Sequence, residues 1–269
     1  MSKPADMEIY FSGRRLYGED LLQSEVEEWL RSEEEGFADL GAKDRRSYSY
    51  GYHAVNGAHG FQYLEDRQFK HVLGFGSAYG YELEPLMRRI DRVSLLDASP
   101  SFVVSDIDGT PVRYIKASRS GDIDLADASV DLVTCFGVLH HIPRVGHTLE
   151  EMYRVLQPGG IALIREPITS MGDWRAPRPG LTKHERGIPY ELFNTMLRNA
   201  GFRIRRATPC FFPLTDRLGR LLGRPLWNSA AAVKFDALCS WLFAWNRTYH
   251  RRSFLEKVAP GHAFWVTEK

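Results

Sequence analysis

Apolar and polar residues follow one another along the middle of this chain in blocks whose lengths suit strands and helices in turn. Short apolar runs at 72–73, 92–96, 112–117, 130–136 and 161–165 predict five strands. Segments between them repeat apolar residues every three or four positions, the spacing of one buried helix face. Strands and helices that alternate in this way predict an α/β fold, a doubly wound and mostly parallel sheet with helices on both faces.

Helix boundaries can be predicted in two places. An amphipathic helix should occupy residues 18–35 and end at Gly36, and its acidic run at 33–35 is interpreted as a solvated surface. A later helix is predicted to begin at Thr148, because Thr148 and Glu151 have the spacing of a capping box.

The pattern changes after the fifth strand. Residues 166–187 form a loop rich in proline, glycine and arginine, and a helix opened by Pro189 and a sixth strand follow. The last strand comes only after a long apolar segment, where a short hairpin would have sufficed. We therefore expect a helical N-terminal cap at 1–68, an α/β core at 69–210, a helical and aromatic insertion at 211–261 and the last core strand at 262–269.

A glycine-rich turn joins the first strand to the next helix, which is expected to begin near Tyr79. Gly74, Gly76 and Gly80 allow sharp backbone turns and leave main-chain N–H groups open to a ligand. Asp97 ends the second strand, 21 residues after Gly76, where an acid commonly binds the two hydroxyls of a ribose. The turn and the acid predict a nucleotide-like cofactor, although the G-x-G-x-x-x-G spacing differs from that of dinucleotide-binding proteins.

The composition narrows the class of partner. The 269 residues carry 35 Lys and Arg against 34 Asp and Glu, a formal net charge of +1, so no nucleic-acid partner is expected. Cys135, Cys210 and Cys239 lack C-x-x-C spacing and are interpreted as reduced thiols of a cytoplasmic protein. The N-terminus lacks the apolar core of a signal peptide, and charges interrupt the most apolar window, so no transmembrane segment is expected.

Three polar residues lie where chemistry is expected. His140 and His141 follow the fourth strand and Glu166 ends the fifth, at the carboxyl edge where open α/β sheets bind ligands. A neutral histidine can remove a proton near pH 7, so one of the pair is a candidate general base. The alternative is that the histidines only pack against a helix and that Glu166 only binds a loop. No H-x-x-x-H or similar spacing supports a metal site, and none is expected.

Residues 72–206 resemble the class I methyltransferases that use S-adenosylmethionine (SAM). The glycine turn is similar to the family's first motif, and Asp97 to the acid that ends its second strand. The run from Asp131 to Pro143 resembles its fourth-strand motif, and Arg154-Val-Leu-Gln-Pro-Gly-Gly resembles the approach to its fifth strand. The resemblance implies a seven-stranded sheet whose last strand is antiparallel and lies beside the sixth, with SAM as cofactor and a small-molecule acceptor.

The resemblance also assigns site residues. The cofactor is expected over the turn, with its ribose on Asp97 and its adenine near Ala98, Ser118 and Asp122. The cofactor-binding residues expected in this way are Gly74, Phe75, Gly76, Ser77, Gly80, Asp97, Ala98, Ser118, Asp122, Phe136 and Gly137. The expected catalytic residues are His140, His141 and Glu166.

Two positions depart from the family's first motif. The family usually has an acid where this chain has Gly74, and that acid contacts the amino group of the cofactor's methionine part. Ala78 replaces the second glycine, and its backbone would be strained at a positive φ angle. The missing acid motivates an alternative, a non-catalytic relative that binds SAM or S-adenosylhomocysteine and regulates a partner. A nicotinamide oxidoreductase is a third hypothesis, which the glycine spacing opposes.

The insertion at 211–261 is interpreted as a lid over the acceptor. It holds many aromatic residues beside Arg217, Arg220 and Arg224, and arginines bind carboxylates or phosphates. With the basic residues of the 166–187 loop, they suggest an acceptor with an apolar or ring-shaped body and an anionic group. Methylation on oxygen is one expectation for it, and methylation on nitrogen or carbon stays open. Two alternatives stay open. The insertion extends the core or forms a homodimer interface, or it lies on a membrane surface, which is less expected because its basic residues do not line one long helix face.

Overall fold

The structure, a computed structural model, describes residues 7–41 and 48–269, and within the first range it describes side chains as far as Glu33. At its centre is a sheet with strands β1 (Val72–Phe75), β2 (Val93–Asp97), β3 (Asp106–Ile107), β4 (Thr110–Lys116), β5 (Val130–Phe136), β6 (Leu156–Pro167), β7 (Arg203–Cys210) and β8 (His262–Glu268). The eight strands lie in the order β3-β4-β2-β1-β5-β6-β8-β7.

The central strands are parallel, and β1 lies between β2 and β5. β8 lies between β6 and β7 and is antiparallel to both. The predicted fold class is confirmed, including the antiparallel last strand. The sheet has one strand more than the seven predicted, because the short β3 forms an antiparallel pair with β4. A two-residue strand is too short to produce a recognisable alternation in the sequence.

The helices cover both faces of this sheet. They are α1 (Glu8–Phe11), α2 (Gln23–Gly41), α3 (His53–His59), α4 (Val145–Val155), α5 (Tyr190–Asn199), α6 (Pro213–Leu221), α7 (Ala230–Leu242) and α8 (Phe254–Lys257). A 3₁₀ helix (Tyr81–Arg89) follows the glycine turn. Within the described ranges, no helix has the length and apolar character needed to cross a membrane.

Alternate strand residues supply two hydrophobic cores, one on each face of the sheet. Leu73 and Val133 pack with α4 and α5 on one face, whereas Val72 and Leu132 pack with the 3₁₀ helix on the other. Successive side chains of a strand point to opposite faces, which is why neighbouring residues enter different cores. Because helices cover both faces of the sheet, a ligand is expected to bind at the carboxyl edge, where the loops after β1, β2, β5 and β6 meet.

The capping-box prediction for α4 is wrong. The helix begins at Val145, so Thr148 is a buried residue inside it. Glu151 instead accepts a hydrogen bond from the N–H of Ile123 and pairs with Arg154. Glu151, which has the spacing of a capping-box residue, therefore holds the preceding loop against the helix.

Two further boundaries differ from the predictions. α2 continues through Gly36 to Gly41, since a single glycine costs a helix only about 1 kcal/mol. The segment after the glycine turn begins at Tyr81 and not near Tyr79, and it is a 3₁₀ helix. Pro85 lies within it and lacks the N–H that an α-helix would need at that position.

Candidate functional site

The glycine turn follows β1 at the centre of the sheet. Gly76 and Gly80 have φ angles of 65° and 74°, in the left-handed region that favours glycine. A Cβ atom at Gly76 would lie 2.4 Å from Cγ1 of Val138, so the turn packs directly on the loop after β5. The turn is thereby joined to the segment that carries His140 and His141.

Asp97 lies at the end of β2 beside this turn. Its carboxylate accepts hydrogen bonds from the N–H of Ala78 at 3.0 Å and of Ser99 at 3.1 Å. Burial raises the pKa of Asp97, and these N–H groups oppose the rise. Ala78 has a φ of 48°, so it carries the strain anticipated for a side chain there, and the bond to Asp97 holds it in place. A carboxylate offers about four acceptor positions, so Asp97 retains capacity for a ribose hydroxyl.

A buried carboxyl group from another element lies beside Gly74. A Cβ atom at Gly74 would lie 2.6 Å from Oγ of Ser77 and 2.9 Å from Leu95, so the turn has no room for a side chain there. Glu82 of the 3₁₀ helix is buried and accepts hydrogen bonds from Ser77 and, at 3.4 Å, from Oγ1 of Thr134. Thr134 is paired with Gly74 across β1 and β5, which places the Glu82 carboxyl next to Gly74. Burial raises the pKa of Glu82 to about 7.

The residues expected around the adenine lie on two adjoining loops. The N–H of Ala117 donates to the carbonyl of Asp97, which brings Ser118 close to Ala98 at the surface. Asp122 is exposed, and its carboxylate lies 2.9 Å from Nε2 of His147. These contacts put Ala98 and Ser118 together and leave Asp122 paired with a neighbour.

The other expected cofactor residues differ in what they present to the edge. Phe75 is buried in the core, so only its backbone reaches the turn. Phe136 packs against Phe264 at the end of β5. Gly137 follows with a φ of 75°, and a Cβ atom there would lie 3.7 Å from the ring of His140. The small residue at 137 lets the His140 ring lie against the end of β5.

Glu166 joins the end of β6 to the loop after β5. It accepts hydrogen bonds from the N–H groups of Val138 and Leu139, both at 2.9 Å, and its Oε2 lies 2.7 Å from Nδ1 of His140. Burial disfavours its charge, but the His140 ring and these N–H groups outweigh burial and lower the pKa of Glu166. An ionised Glu166 accepts from Nδ1–H, which leaves the lone pair of His140 on Nε2.

His140 is a neutral ring at neutral pH. Burial and the adjacent His141 lower its pKa below 6.5, although Glu166 and Glu185 act in the opposite direction. The contact with Glu166 is therefore a hydrogen bond from a neutral imidazole to a carboxylate and not an ion pair. Nε2 of His140 lies 3.6 Å from Oε1 of Glu185. A ring held in this protonation state can accept a proton.

His141 lies beside His140, and their ring centroids are 3.9 Å apart. Nδ1 of His141 is 3.1 Å from Oε2 of Glu33, and Oε1 of the same carboxylate accepts a hydrogen bond from Oγ1 of Thr182. Glu33 is buried, so the interpretation of the acidic run as solvated surface is wrong for this residue. The side chains of 34–35 lie outside the described part of the chain.

Three side chains of this region could hold a metal ion. One ligand atom of each of His140, His141 and Glu185 lies within 4.8 Å of the other two. The sequence did not indicate this set, because Glu185 comes from a distant loop with no regular spacing to the histidines. Each imidazole is oriented by a carboxylate, Glu166 or Glu33, and this arrangement suits an acid–base site as well as a metal site.

The basic residues of the 166–187 loop have partners in the protein. Arg186 is fully buried and donates to two backbone carbonyls that flank the histidine pair. Arg178 donates to four backbone carbonyls of its own loop. Arg175 and Lys183 pair with acidic side chains. These four residues brace the loop, which removes them as support for an anionic acceptor.

A different arginine, which the sequence analysis did not single out, is buried at the same edge. Arg165 is 5% exposed and donates to Oδ1 of Asn56 at 2.8 Å. Its guanidinium lies over the rings of Tyr52, Phe136 and Phe211, at 4.6, 5.4 and 5.4 Å from their centroids. No described carboxylate forms an ion pair with it. In the sequence, Arg165 shows only as one arginine inside an apolar strand. An exposed arginine at the edge of a sheet would give the same pattern.

His262 lies between Arg165 and His140. Burial, the charge of Arg165 and the ring of His140 together lower its pKa to about 3. Its ring centroid is 4.4 Å from that of Phe211, and its buried Nδ1 has no hydrogen-bond partner among the described residues. An unsatisfied buried nitrogen beside an unpaired guanidinium indicates a place where a polar ligand would be stabilised.

Two solved structures show the same fold at low sequence identity. An S-adenosylmethionine-dependent methyltransferase from Mesorhizobium loti has a TM-score of 0.54 and 18% identity, covering 80% of this chain and 98% of its own. A 1,6-didemethyltoxoflavin-N1-methyltransferase from Burkholderia thailandensis has a TM-score of 0.55 and 16% identity, covering 93% and 91%.

Comparison with the sequence models of protein families indicates which class of protein has this core. The sequence model of a family described as a methyltransferase domain matches residues 73–164. That span runs from β1 into β6 and contains the glycine turn, Asp97 and the histidine pair. Within the core, residues 73–164 therefore match a methyltransferase domain. The cofactor of such domains is SAM, as the resemblance of the motifs implied.

A curated relative of the methyltransferase domain comes from Mycolicibacterium smegmatis and is named a probable S-adenosylmethionine-dependent methyltransferase. The two sequences are 27% identical over 132 residues, which is 49% of this chain and 50% of the relative. The chain therefore spans only about half the length of that relative. The match supports the domain and leaves the activity of the whole protein to be proposed.

The N-terminal segment covers part of the cofactor edge of the methyltransferase domain. The ring centroid of Tyr48 lies 5.4 Å from that of Tyr79 in the glycine turn. Burial and the nearby carboxylates of Glu82 and Asp97 together raise the pKa of Tyr48 to about 12. Two surface clefts of about 280 and 300 Å³ lie elsewhere, beside α5, and neither is lined by Asp97. The carboxyl edge is therefore identified as the candidate site by its residues and not by either of these two clefts.

Proposed function

We propose that this protein transfers a methyl group from SAM to a small-molecule acceptor held between His140 and Arg165. The observation that carries the proposal is the meeting of two groups at one edge of the sheet. The glycine turn with Asp97 suits the cofactor, and His140 oriented by Glu166 suits proton removal from an acceptor. When bound, SAM supplies a methyl group on a sulfonium.

We place the cofactor across the glycine turn. Gly76 and Gly80 let the chain turn sharply at positive φ, with Val138 and Ile107 packed where side chains would otherwise lie, and Asp97 accepts the ribose hydroxyls. Ala98 and Ser118 would flank the adenine, since the bond between Ala117 and Asp97 brings them together. The backbone of the turn and of the loop after β5 completes the site.

Glu82 takes the role of the acid that Gly74 lacks. Its carboxyl is buried beside Gly74 and is held there by Ser77 and Thr134. A buried carboxyl whose pKa lies near 7 ionises at little cost when a cation arrives. The ammonium group of the methionine part of SAM is such a cation, so this departure from the family motif is compatible with cofactor binding.

His140 is the proposed general base. Methyl transfer needs the acceptor atom held about 3–3.5 Å from the methyl carbon, with water kept away. Nε2 of His140 takes the proton of an acceptor hydroxyl, and Glu166 stabilises the resulting imidazolium through Nδ1. Arg186 holds the backbone on both sides of the histidines, and His141 supports the ring of His140.

Arg165 points to the chemistry of the acceptor. A buried guanidinium without a carboxylate partner is costly, and an anionic ligand group would offset that cost. The rings of Tyr52 and Phe211 beside it suit a flat or ring-shaped body. An anionic or ring-containing metabolite that is methylated on oxygen fits this pocket best. The Burkholderia protein, named for methylating 1,6-didemethyltoxoflavin, supports a small-molecule acceptor.

The proposal is tested with His140→Gln, because Gln is a neutral polar side chain of similar length that cannot act as a base. Transfer of labelled methyl groups from SAM into small-molecule extracts should fall about 10²–10⁴-fold in kcat. Calorimetric affinity for S-adenosylhomocysteine should stay unchanged. His147→Gln, an exposed histidine paired with Asp122, is the matched control.

Near-normal kcat in His140→Gln would show that the histidine only lines the site. Dialysis of the wild-type protein against a chelator should leave turnover unchanged. If chelation abolished it, His140, His141 and Glu185 would be reassigned as metal ligands.

A second candidate is a non-catalytic relative that binds SAM or S-adenosylhomocysteine and regulates a partner. The replacement of the acid at Gly74 favours it. It predicts tight S-adenosylhomocysteine binding without turnover in any extract. A cytoplasmic location, supported by three cysteines without paired spacing, and the division of the chain at 68, 210 and 261 are likewise proposals.

A further inference from the structure

The insertion at 211–261 exposes an apolar surface that the proposed function does not use. Among the described residues, fourteen large hydrophobic side chains are exposed, and eleven of them lie in these 51 residues. The eleven are Leu214, Leu218, Leu221, Leu222, Phe235, Leu238, Trp241, Leu242, Trp245, Phe254 and Leu255. Such a concentration in one segment indicates an interaction site, whereas single exposed apolar residues are ordinary.

On α7 the exposed residues form one face. Phe235, Leu238 and Leu242 have the spacing i, i+3, i+7 and lie on the solvent side. Val233 and Ser240 are buried on the opposite side. The exposed side of the helix is thus apolar, and it is the buried side that has a partner in the described protein.

The same arrangement recurs on α6, which packs against α7. Leu214, Leu218 and Leu221 lie on its solvent side, while Thr215 and Gly219 are buried. The inner side of the insertion is already occupied, since Phe211 stacks on Trp227 and on Arg165 at the acceptor pocket. The outer side therefore needs a different partner.

Two tryptophans give this outer side its character. Trp241 is 71% exposed and Trp245 is 77% exposed. Tryptophan has an apolar body and a polar N–H, and it is enriched where a membrane meets water. The tryptophans follow the outward face of α7 and its continuation.

The insertion also has a net positive charge, which the rest of the chain lacks. Residues 211–261 contain eight Lys or Arg against three Asp or Glu, a net charge of +5, whereas the whole chain carries +1. Arg217, Arg224, Lys234 and Lys257 form no ion pair among the described residues. Arg217 lies three residues after Leu214, on the leucine face of α6.

We propose that the outer face of the insertion binds the surface of an anionic lipid bilayer, with Trp241 and Trp245 among the headgroups. Apolar helix faces enter the boundary of the acyl chains, and flanking cations bind anionic lipids at about 1 kcal/mol each. The cations were expected to matter less because they do not share one long helix. In the structure, Arg217 on α6 and Lys234 on α7 lie on two packed helices that carry exposed apolar residues, which meets the requirement in another way.

A second copy of the chain fits this face less well. A two-fold interface brings each patch against its own copy, which would set a net charge of +5 against another +5. A lipid surface of negative charge has no such penalty. The proposal does not depend on methyl transfer, because the outer face takes no part in the site.

The experiment is flotation of the full chain with vesicles. Vesicles of phosphatidylcholine alone should not carry the protein, vesicles that also contain phosphatidylglycerol should carry it, and salt should release it. Tryptophan emission should shift to shorter wavelength on binding. The double variant Trp241→Ser with Trp245→Ser, and separately Arg217→Glu with Arg224→Glu, should bind at least tenfold more weakly.

Leu22→Ser is the matched control, because Leu22 is 71% exposed and lies outside the insertion. Circular dichroism and S-adenosylhomocysteine titration establish that each variant is folded, and Trp245→Ser alone, beyond the end of α7, serves if the double variant is not. The proposal is overturned if the wild type ignores anionic vesicles or binds neutral ones equally. It is also overturned if the protein sediments as a dimer that the tryptophan variant converts to a monomer.

Discussion

Two buried glutamates of the site differ in charge because their donors differ. Burial alone would raise the pKa of both. Glu166 receives backbone N–H groups and the His140 ring, and its pKa falls. Glu82 receives side-chain hydroxyl donors, from Ser77 and Thr134, and its pKa rises to about 7. Glu166 is thus a fixed anion that orients a base, whereas Glu82 can accept charge when a cation binds.

Binding of cofactor fragments separates Asp97 from Glu82. Asp97→Ala should weaken both S-adenosylhomocysteine and 5′-methylthioadenosine, because both contain the ribose. Glu82→Gln should weaken only S-adenosylhomocysteine, which alone has the amino group. Charged hydrogen bonds contribute about 1.5–3 kcal/mol each, so calorimetry should show losses of roughly 10- to 100-fold. Equal loss of both ligands in Glu82→Gln would refute the role given to Glu82.

The raised pKa of Glu82 also predicts how stability depends on pH. A folded pKa of about 7 against 4.5 means that the folded state holds the proton more tightly. This contribution is complete below about pH 4.5 and is lost as the pH rises through about 7. Without cofactor, Glu82→Gln should therefore unfold with about 3 kcal/mol more free energy than wild type at pH 8 and with little difference at pH 5. Urea unfolding at both pH values measures this, with the exposed Glu150→Gln as control, and equal effects at both pH values would contradict it.

A carboxylate of helix α7 joins this helix to the end of strand β7 by hydrogen bonds. Asp236 is buried and accepts hydrogen bonds from the N–H groups of Phe211 at 2.9 Å and Phe212 at 2.7 Å, where the chain leaves β7. Burial raises its pKa, and these donors oppose the rise. The attachment lets the insertion present one side to the acceptor pocket and the other to solvent.

Asp236→Ala should lower the free energy of unfolding by about 2–4 kcal/mol, because two buried N–H groups lose their acceptor. Chemical denaturation measures the loss, and hydrogen exchange should localise it to α6 and α7. Asp216→Ala, an exposed acid on α6, is the control and should change stability by less than about 0.5 kcal/mol. A loss no larger than that of the control would show that α7 is held by apolar contacts alone.

Across the whole molecule, positive and negative charges are distributed unevenly between the insertion and the rest of the chain. The insertion carries +5 and the remainder of the chain therefore −4, although the net charge of +1 suggests neutrality. The glycine turn, His140 and Arg165 lie along the carboxyl edge of one sheet, so a cofactor that binds there should stabilise the whole domain.

Ligand-induced stabilisation distinguishes the cofactor class. S-adenosylhomocysteine at 100 times its Kd should raise the free energy of unfolding by about 2.7 kcal/mol, or roughly 5–10 °C in Tm. NAD should give no shift, because the turn lacks dinucleotide spacing. If thermal unfolding showed a larger increase in Tm with NAD than with S-adenosylhomocysteine, the oxidoreductase hypothesis would be favoured instead.

Local pattern was enough to predict the architecture of this protein. The alternation of apolar runs and helical spacing predicted the doubly wound sheet, and the strand at 130–136 has the bounds that the sequence indicated. The glycine turn and Asp97 were found because each depends on its neighbours along the chain. Periodicity and turn chemistry act over a few residues, so they can be read without knowing the fold.

Only the tertiary structure decided which side chains share a site. Glu82 reaches Gly74, Glu33 reaches His141, and Glu185 reaches His140 across separations that leave no regular spacing. The capping-box spacing at Thr148 was misread for the same reason, since burial of Thr148 outweighed its local preference. The exposure of the insertion was equally hidden, because α7 buries Asp236 and Ser240 and exposes Phe235, Leu238 and Leu242, the reverse of what their polarity indicates. Burial and long-range contact set these outcomes, and both are properties of the folded chain.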